Sequence, residues 1–147
     1  MRFEGVAEIA APRDRVWSFI SDPTLVAACA ADVEDLDLVD ATHFRVTARA
    51  GIGRIRTTFA IDAEFTELRD RERVAVRATG RARGSAVDMT NVVELAEAGD
   101  ARTTLRWSAE VNVSGAIANI GSRFIQAAAE KTTHELIACI KERLEAP

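Results

Sequence analysis

Residues Gly115 to Leu144 read GAIANIGSRFIQAAAEKTTHELIACIKERL, and their apolar side chains recur at intervals of three and four. This spacing predicts one amphipathic helix over the whole stretch. On a helical wheel the apolar residues cover an arc of roughly 200°, wider than the stripe of about 100° that one flat surface requires. We therefore expect the helix to lie in a concave surface. Its central residues, Ala127 to Ala129, have small side chains, so either a neighbouring element packs closely against the helix there or an open space remains beside it.

The rest of the chain predicts that concave surface. Phe3 to Ile9 alternates as a strand does, and two short helices follow, separated by the break at Ser21-Asp22-Pro23. From Val33 to Val113 the pattern has period two and predicts six further strands joined by short turns. We expect residues 1–147 to form a single α+β domain. In it, a seven-stranded antiparallel sheet, apolar on one face, curls around the long helix.

Composition excludes several classes of function. The formal net charge is −4, so the chain lacks the basic surface that nucleic-acid binding needs. No apolar run approaches the roughly 18 residues of a membrane span, and no signal peptide is apparent, so a cytoplasmic protein is expected. Cys29 and Cys139 lie far apart without the spacing of a metal site or redox motif. They predict buried free thiols in a reducing compartment.

The inward strand positions offer little for catalysis. Asn91 and Thr57 are the only polar residues that the alternation places inside, and neither is paired with an acid or a base. His43 and His134 are expected on the solvated surface. The sequence therefore predicts no catalytic triad, no carboxylate dyad, no metal site and no bound cofactor.

The outward strand positions are highly charged. They favour a solvated sheet face with cross-strand ion pairs over a docking surface for a protein or an anionic membrane. The loop at Gly51-Ile52-Gly53 fits no phosphate-binding motif and predicts a hairpin loop that could cover the open end of the sheet. The basic residues are Arg45, Arg49, Arg54, Arg56, Arg73, Arg77, Arg81 and Arg83, and the acidic candidates are Asp35, Asp37, Asp62, Glu64, Glu94 and Glu110.

Large apolar residues indicate the core and a candidate ligand wall. Trp17, Trp107 and Phe124 are expected as buried anchors. Met89 and Asn91 are adjacent inward positions, where a flexible thioether and one amide suit a lipophilic ligand that carries a single polar group. The alternative is a filled core in which Asn91 is hydrogen-bonded to backbone.

Several segments, taken in order, resemble the G-subunit family of carbon monoxide dehydrogenase, which belongs to the START-like (SRPBCC) superfamily. The resemblance covers essentially the whole chain. Its segments are Phe3-Glu4-Gly5, APRDRVW from Ala11 to Trp17, Asp22-Pro23, Ala28-Cys29, GIGRI from Gly51 to Ile55, Phe59, GRARG from Gly80 to Gly84, and Gly121-Ser122-Arg123.

This resemblance implies a helix-grip fold with a deep apolar cavity between the curved sheet and the C-terminal helix. It also implies the absence of a metal or coenzyme, and an accessory role beside a molybdenum hydroxylase of the carbon monoxide dehydrogenase type, with a quinone-like molecule as a plausible ligand. Cys29-Ala30-Ala31-Asp32 replaces the Cys-Leu-Pro-Gly turn common in relatives. Many relatives continue past the helix into a tail thought to contact membrane, whereas the given sequence stops at Pro147. Membrane contact is therefore expected to be peripheral at most.

The first hypothesis is a non-enzymatic protein that holds a small lipophilic ligand in this cavity. The alternatives are a cyclase- or dehydratase-like enzyme on the same fold and a docking or assembly partner with a filled core. The expected ligand-binding residues are Phe59, Ile61, Met89, Asn91, Trp107, Phe124 and Ala128.

Overall fold

The computed structural model describes residues 1–52 and 55–146, and it forms one seven-stranded sheet with three α-helices. The predicted loop glycine Gly53 and the outward Arg54 lie outside the described residues. The elements are β1 (Arg2–Ile9), α1 (Arg13–Ile20), α2 (Pro23–Cys29), β2 (Val33–Leu38), β3 (His43–Ile52), β4 (Ile55–Arg69), β5 (Arg73–Ala82), β6 (Ser85–Glu97), β7 (Thr103–Gly115), a 3-10 helix (Ala116–Ile120) and α3 (Ser122–Glu145).

The sheet has the order β1-β7-β6-β5-β4-β3-β2, and every neighbouring pair is antiparallel. Strands β2 to β7 follow one another as a meander, and β1 closes onto β7. The α+β helix-grip architecture expected from the sequence is confirmed. Register shifts in β4 between Phe65 and Glu67, and in β2 between Val33 and Asp35, mark β-bulges. Such bulges bend strands and increase their twist, which helps the sheet to curve.

The densest packing lies at one end of the sheet, under α1, α2 and the second half of α3. Ile9, Val16 and Leu105 are almost completely buried there, and Ile140 and Leu144 of α3 join the same cluster. The apolar spacing of α1 and of the end of α3 therefore matches the faces that they bury. These three helices cover the apolar face toward that end of the sheet and define where a ligand could lie.

The long helix is shorter than the periodicity predicts. Gly115 to Ile120 does not belong to it: a 3-10 helix spans Ala116–Ile120, and α3 begins at Ser122. Gly121 separates the two with a φ of 105°, a conformation that glycine adopts without steric strain. Phe124, expected as a core anchor, is 54% exposed. Apolar spacing continues across the glycine, so periodicity alone does not reveal the break.

The expectation of free thiols is wrong in this structure. Cys29 at the end of α2 and Cys139 in α3 form a disulfide, with their Cα atoms 5.6 Å apart. Sequence spacing gave no warning, because 110 positions separate the two cysteines and only the packing of α2 against α3 brings them together. Because both cysteines are bonded, they do not support the reducing compartment expected from free thiols.

The outer face carries cross-strand ion pairs as predicted. Arg45 Nε lies 3.0 Å from Asp62 Oδ1, and Arg73 Nη1 lies 3.2 Å from Glu94 Oε1. Arg45, Asp62 and Glu94 are largely solvated and Arg73 is about one-third exposed. Pairs at such a surface contribute about 0–1 kcal/mol each. Within the part of the chain that the structure describes, no helix is both long and apolar enough to cross a membrane.

Candidate ligand cavity

A cavity of about 320 Å³ lies between the apolar sheet face and the three α-helices. This volume is at the lower end of the range of about 300–1,000 Å³ typical of small-molecule sites. Its floor comes from β2 to β7, and its cover comes from α1, α2 and α3. Side chains that line it include Ile20, Val26, Ala27, Phe44, Phe65, Val76, Asn91, Val93, Trp107, Ala109, Thr133, Leu136, Ile137 and Ile140.

The strand register explains how the floor is assembled. Phe65 pairs with Val76, Val76 with Asn91, and Asn91 with Ala109, so these four residues form one row across β4, β5, β6 and β7. Since neighbouring strands lie about 4.8 Å apart, Asn91 and Phe65 are about 10 Å from each other along this row. The row therefore places the amide of Asn91 and the ring of Phe65 two strands apart on the cavity floor.

Trp107 occupies its position because Gly5 lies directly opposite it on β1. A Cβ atom at Gly5 would lie 2.6 Å from Cζ2 and 2.7 Å from Cε2 of the indole ring. The absence of a side chain at Gly5 lets the ring lie against the backbone of β1. This contact fixes the ring of Trp107, which is the largest side chain in the cavity lining.

Two of the seven residues expected to bind ligand, Asn91 and Trp107, line the cavity. Met89 lies in the next row of the sheet, where it pairs with Ala78, and Ile61 lies one row further, where it pairs with Gly80. The other three, Phe59, Phe124 and Ala128, are also outside the lining of this cavity.

The physical reason is that alternation identifies the face of a strand but not the position along it. Phe59 pairs with Ala48, toward the end of the sheet near Gly51. The cavity instead lies toward the end covered by α1, α2 and the second half of α3, from Thr133 onward. Phe124 and Ala128 belong to the first half of α3 and do not reach it.

Sequence reasoning missed the contribution of α1 and α2. Ile20, Pro23, Val26 and Ala27 line the cavity from these two helices, and Ala30 joins them directly after α2. The sequence indicated this contribution only through small or branched apolar side chains in helices of eight and seven residues. Helices this short contain too few turns for apolar periodicity to show which surface their inner face covers.

The cavity lining contains no Asp, Glu, His, Lys, Arg or Cys among the residues that the structure describes. Its polar side chains are those of Asn91 and Thr133; Ser108 also belongs to the lining, but strand alternation directs its side chain to the opposite face of the sheet. Such a wall can bind apolar surface and hydrogen-bond one or two polar groups of a ligand, but it presents no group that exchanges protons near neutral pH. It also disfavours a buried charge, because this lining offers no opposite charge to compensate the loss of hydration.

A charged cluster lies just outside the cavity, at the turn between β2 and β3. His43 Nδ1 is 2.9 Å from Asp40 Oδ1, and His43 Nε2 is 3.0 Å from Glu64 Oε2. The Asp40 carboxylate, followed by Glu64, raises the pKa of His43 above its ordinary 6.5. Hydrogen bonds from the Thr42 backbone N–H and from the His43 ring lower the pKa of Asp40 to about 2. All three side chains are solvent-accessible, so this cluster stabilises the turn rather than forming a buried site.

Across residues 1–52 and 55–146, no three or more His, Cys, Asp or Glu side chains are arranged to hold a metal ion.

Comparison with known proteins gives one family. The model of the G-subunit family of carbon monoxide dehydrogenase (CoxG) matches residues 5–145. A comparison with curated proteins gives no significant match.

Solved structures agree in fold. A conserved protein from Geobacillus kaustophilus superposes with a TM-score of 0.91 at 20% identity, covering 98% of this chain and 95% of that one. The Zhui aromatase/cyclase from Streptomyces sp. R1128 gives 0.76 at 16% identity, covering 99% and 93%. A START superfamily protein from Mycobacterium smegmatis gives 0.72 at 13% identity, covering 98% and 97%. At these identities the likeness shows the fold alone.

Proposed function

The chain belongs to the CoxG family, the G-subunit family of carbon monoxide dehydrogenase, and on this premise we propose that it binds a small, uncharged lipophilic ligand in the cavity between sheet and helices. The observation that carries the proposal is a cavity of about 320 Å³ whose described lining is apolar except for a few hydrogen-bonding groups. Affinity would come from burying apolar ligand surface, at about 25 cal/mol per Å².

Asn91 is the group proposed to orient the ligand. It is half-buried, lines the cavity, and lies in a row with Val76 on one side and Ala109 on the other. An amide can donate two hydrogen bonds and accept two, so it can bind a ligand carbonyl or hydroxyl. A quinone-like molecule, which is neutral and carries carbonyl groups, is compatible with this wall.

The absence of titratable groups from the described lining favours binding over catalysis. A cyclase or dehydratase needs an acid or base within reach of its substrate, whereas the acid–base cluster at His43 lies in a solvated turn outside the cavity lining. We therefore propose a carrier or accessory protein rather than an enzyme. The fold of an aromatase/cyclase does not alter this, since one fold hosts many functions.

The family description supports a further part of the proposal, that the protein assists a molybdenum hydroxylase of the carbon monoxide dehydrogenase type. A cytoplasmic location remains a prediction from the sequence. Reciprocal co-purification of a tagged chain with such an enzyme is expected, whereas recovery of the tagged chain alone at native expression levels would contradict the partnership and leave ligand binding untouched.

Ligand binding can be tested with a short straight-chain methyl ketone as an uncharged probe with one carbonyl group. Isothermal titration calorimetry should show binding to the wild-type protein. Ala27→Phe places a ring into the cavity and excludes part of the ligand from it. The lost burial of apolar ligand surface should reduce the binding free energy by at least about 1.4 kcal/mol, which is a tenfold or larger increase in the dissociation constant.

Ala128→Phe is the matched control. Ala128 and Ala27 are both half-buried helical alanines, but Ala128 lies outside the cavity lining. We expect Ala128→Phe to change the dissociation constant by less than about twofold. Unaltered binding in Ala27→Phe, or no binding to the wild-type protein, would contradict the proposed function.

A further inference from the structure

A second apolar depression lies against the cavity and shares part of its wall. This outer groove has a volume of about 360 Å³ and is lined by residues that include Trp17, Leu38 and Leu68. Pro23, Phe44 and Phe65 line both the outer groove and the cavity. These three residues therefore form a common wall with the cavity on one side and solvent-accessible apolar surface on the other.

The common wall includes two aromatic side chains that contact each other. The rings of Phe44 and Phe65 have centroids 5.5 Å apart and planes inclined at 49°. Phe44 lies on β3 and Phe65 on β4, and Phe65 adjoins the bulge between Phe65 and Glu67. A passage between the two spaces at this point would require these two side chains to move, but not the paired backbones of β3 and β4.

The outer groove leaves large apolar side chains open to solvent. Leu38 is 56% exposed and Leu68 is 46% exposed, although both contribute to the same depression. Single exposed leucines are common, but their grouping around a concave space next to an internal cavity indicates a surface that an apolar molecule covers.

Charge restricts what that molecule can be. The outer groove is bordered by Asp40, whose pKa is lowered to about 2 by hydrogen bonds and which is therefore anionic at neutral pH. The described cavity lining holds no cation to accept an acidic head group. The anionic head group of a fatty acid would be repelled by Asp40 in the outer groove and would lose its hydration without compensation in the cavity. An uncharged molecule incurs neither the repulsion nor this desolvation cost.

We propose that the outer groove is a second subsite of the ligand site, and that the ligand is an elongated uncharged lipophile. Its polar end is held near Asn91, and its apolar chain crosses the Phe44–Phe65 wall into the outer groove. The distance of about 10 Å from Asn91 to Phe65 sets how much of the chain the cavity holds. This inference rests on the proposed function, because it extends the same ligand site outward.

The two tryptophans allow the two subsites to be observed separately. Trp107 lines the cavity, Trp17 lines the outer groove, and the chain contains no tyrosine and no other tryptophan. Trp17→Phe leaves Trp107 as a fluorescence reporter of the cavity, and Trp107→Phe leaves Trp17 as a reporter of the outer groove. Bromine quenches tryptophan fluorescence only at close range, so a bromine at the chain end reports where that end lies.

The probes are straight-chain methyl ketones with a terminal bromine, one with a short chain and one with a chain long enough to extend well beyond about 10 Å from Asn91. In Trp17→Phe the short probe should quench Trp107. In Trp107→Phe the long probe should quench Trp17 and the short probe should not. A long probe that binds but quenches only Trp107 would overturn the outer subsite and leave the proposed function intact. Failure of both probes to bind would overturn the proposed function itself.

A pair of surface variants gives an independent test. Leu38→Asn removes apolar surface from the outer groove, and Val6→Asn makes a similar change on the outer face of β1, where Val6 is also 56% exposed. Leu38→Asn should weaken binding of an unbrominated long methyl ketone by about fivefold to tenfold and leave the short one unchanged. Val6→Asn should change neither. Equal effects of both variants on the long ketone would overturn the inference.

Discussion

Gly5 and Trp107 show how a single hydrogen atom in place of a side chain shapes the cavity. Because a Cβ at Gly5 would lie 2.6 Å from the indole ring, Gly5→Ala should displace Trp107. We expect a loss of about 1–3 kcal/mol in the free energy of unfolding, the range for overpacked sites. Urea unfolding would measure it, and the fluorescence of Trp107 in a Trp17→Phe background would report the displaced ring.

Gly80→Ala is the matched control for Gly5→Ala. Gly80 also faces inward from a strand, but the nearest atom to a Cβ added there would be Ile61 Cγ1 at 3.4 Å, which is an ordinary van der Waals contact. The unfolding free energy of Gly80→Ala should remain within about 1 kcal/mol of wild type. Equal losses in the two variants would show that the indole contact does not explain Gly5.

His43 makes stability depend on pH in a defined direction. Its pKa is raised in the folded protein, chiefly by the hydrogen bond to Asp40 and less by Glu64. The stabilising contribution is therefore complete below the unfolded pKa near 6.5 and is lost as pH rises through the higher folded value.

Proton NMR titration should thus place the midpoint of His43 above 6.5. Asp40→Asn should lower that midpoint more than Glu64→Gln does, because Asp40 is the larger cause of the shift. As pH rises from 6.5 through the folded pKa of His43, the free energy of unfolding should fall less steeply for His43→Gln than for the wild-type protein. Identical slopes, or a larger effect of Glu64→Gln on the midpoint, would contradict this assignment.

At the scale of elements, the disulfide joins the two helices that cover the cavity. Cys29 ends α2 and Cys139 lies in α3, 110 positions later, and both helices contribute lining residues on either side of the bond. Closing a loop of this length is associated with roughly 4–5 kcal/mol in the chain-entropy model, and measured values for native disulfides are about 2–5 kcal/mol.

The variant Cys29→Ala/Cys139→Ala should therefore lose about 2–5 kcal/mol in the free energy of unfolding, measured in urea. Dithiothreitol should destabilise the wild-type protein by a similar amount and leave the double variant unchanged. If the double variant equals the untreated wild type in stability, the two cysteines do not form this bond in solution.

Elements were predicted well where a pattern is local. Period two indicated six strands after the first, and the registers place Asn91 and Trp107 on the apolar face as expected. The predicted start of α3 was wrong, because the apolar spacing continues through Gly121 whereas the α-helical backbone begins only at Ser122. The disulfide was also missed, since it depends on how two distant helices pack.

At the scale of the whole molecule, the fold class followed from the order of the elements, whereas the place of the cavity did not. Alternation determines on which face of the sheet a residue lies. The position of the cavity along that face depends on where α1, α2 and the second half of α3 cover the sheet. For this reason Phe59, Ile61 and Met89 share the face of Asn91 and still lie outside the cavity lining. Sheet curvature, which the bulge beside Phe65 favours, is a property of several strands together.

Ligand binding in the cavity can be tested directly with a crystal structure of the protein and a short, terminally brominated methyl ketone, in which anomalous scattering locates the bromine. We expect one bound molecule inside the cavity, with its carbonyl group within hydrogen-bonding distance of Asn91 and its chain against Trp107. A bromine found on the charged outer face of the sheet, with the cavity filled by rearranged side chains, would contradict this expectation.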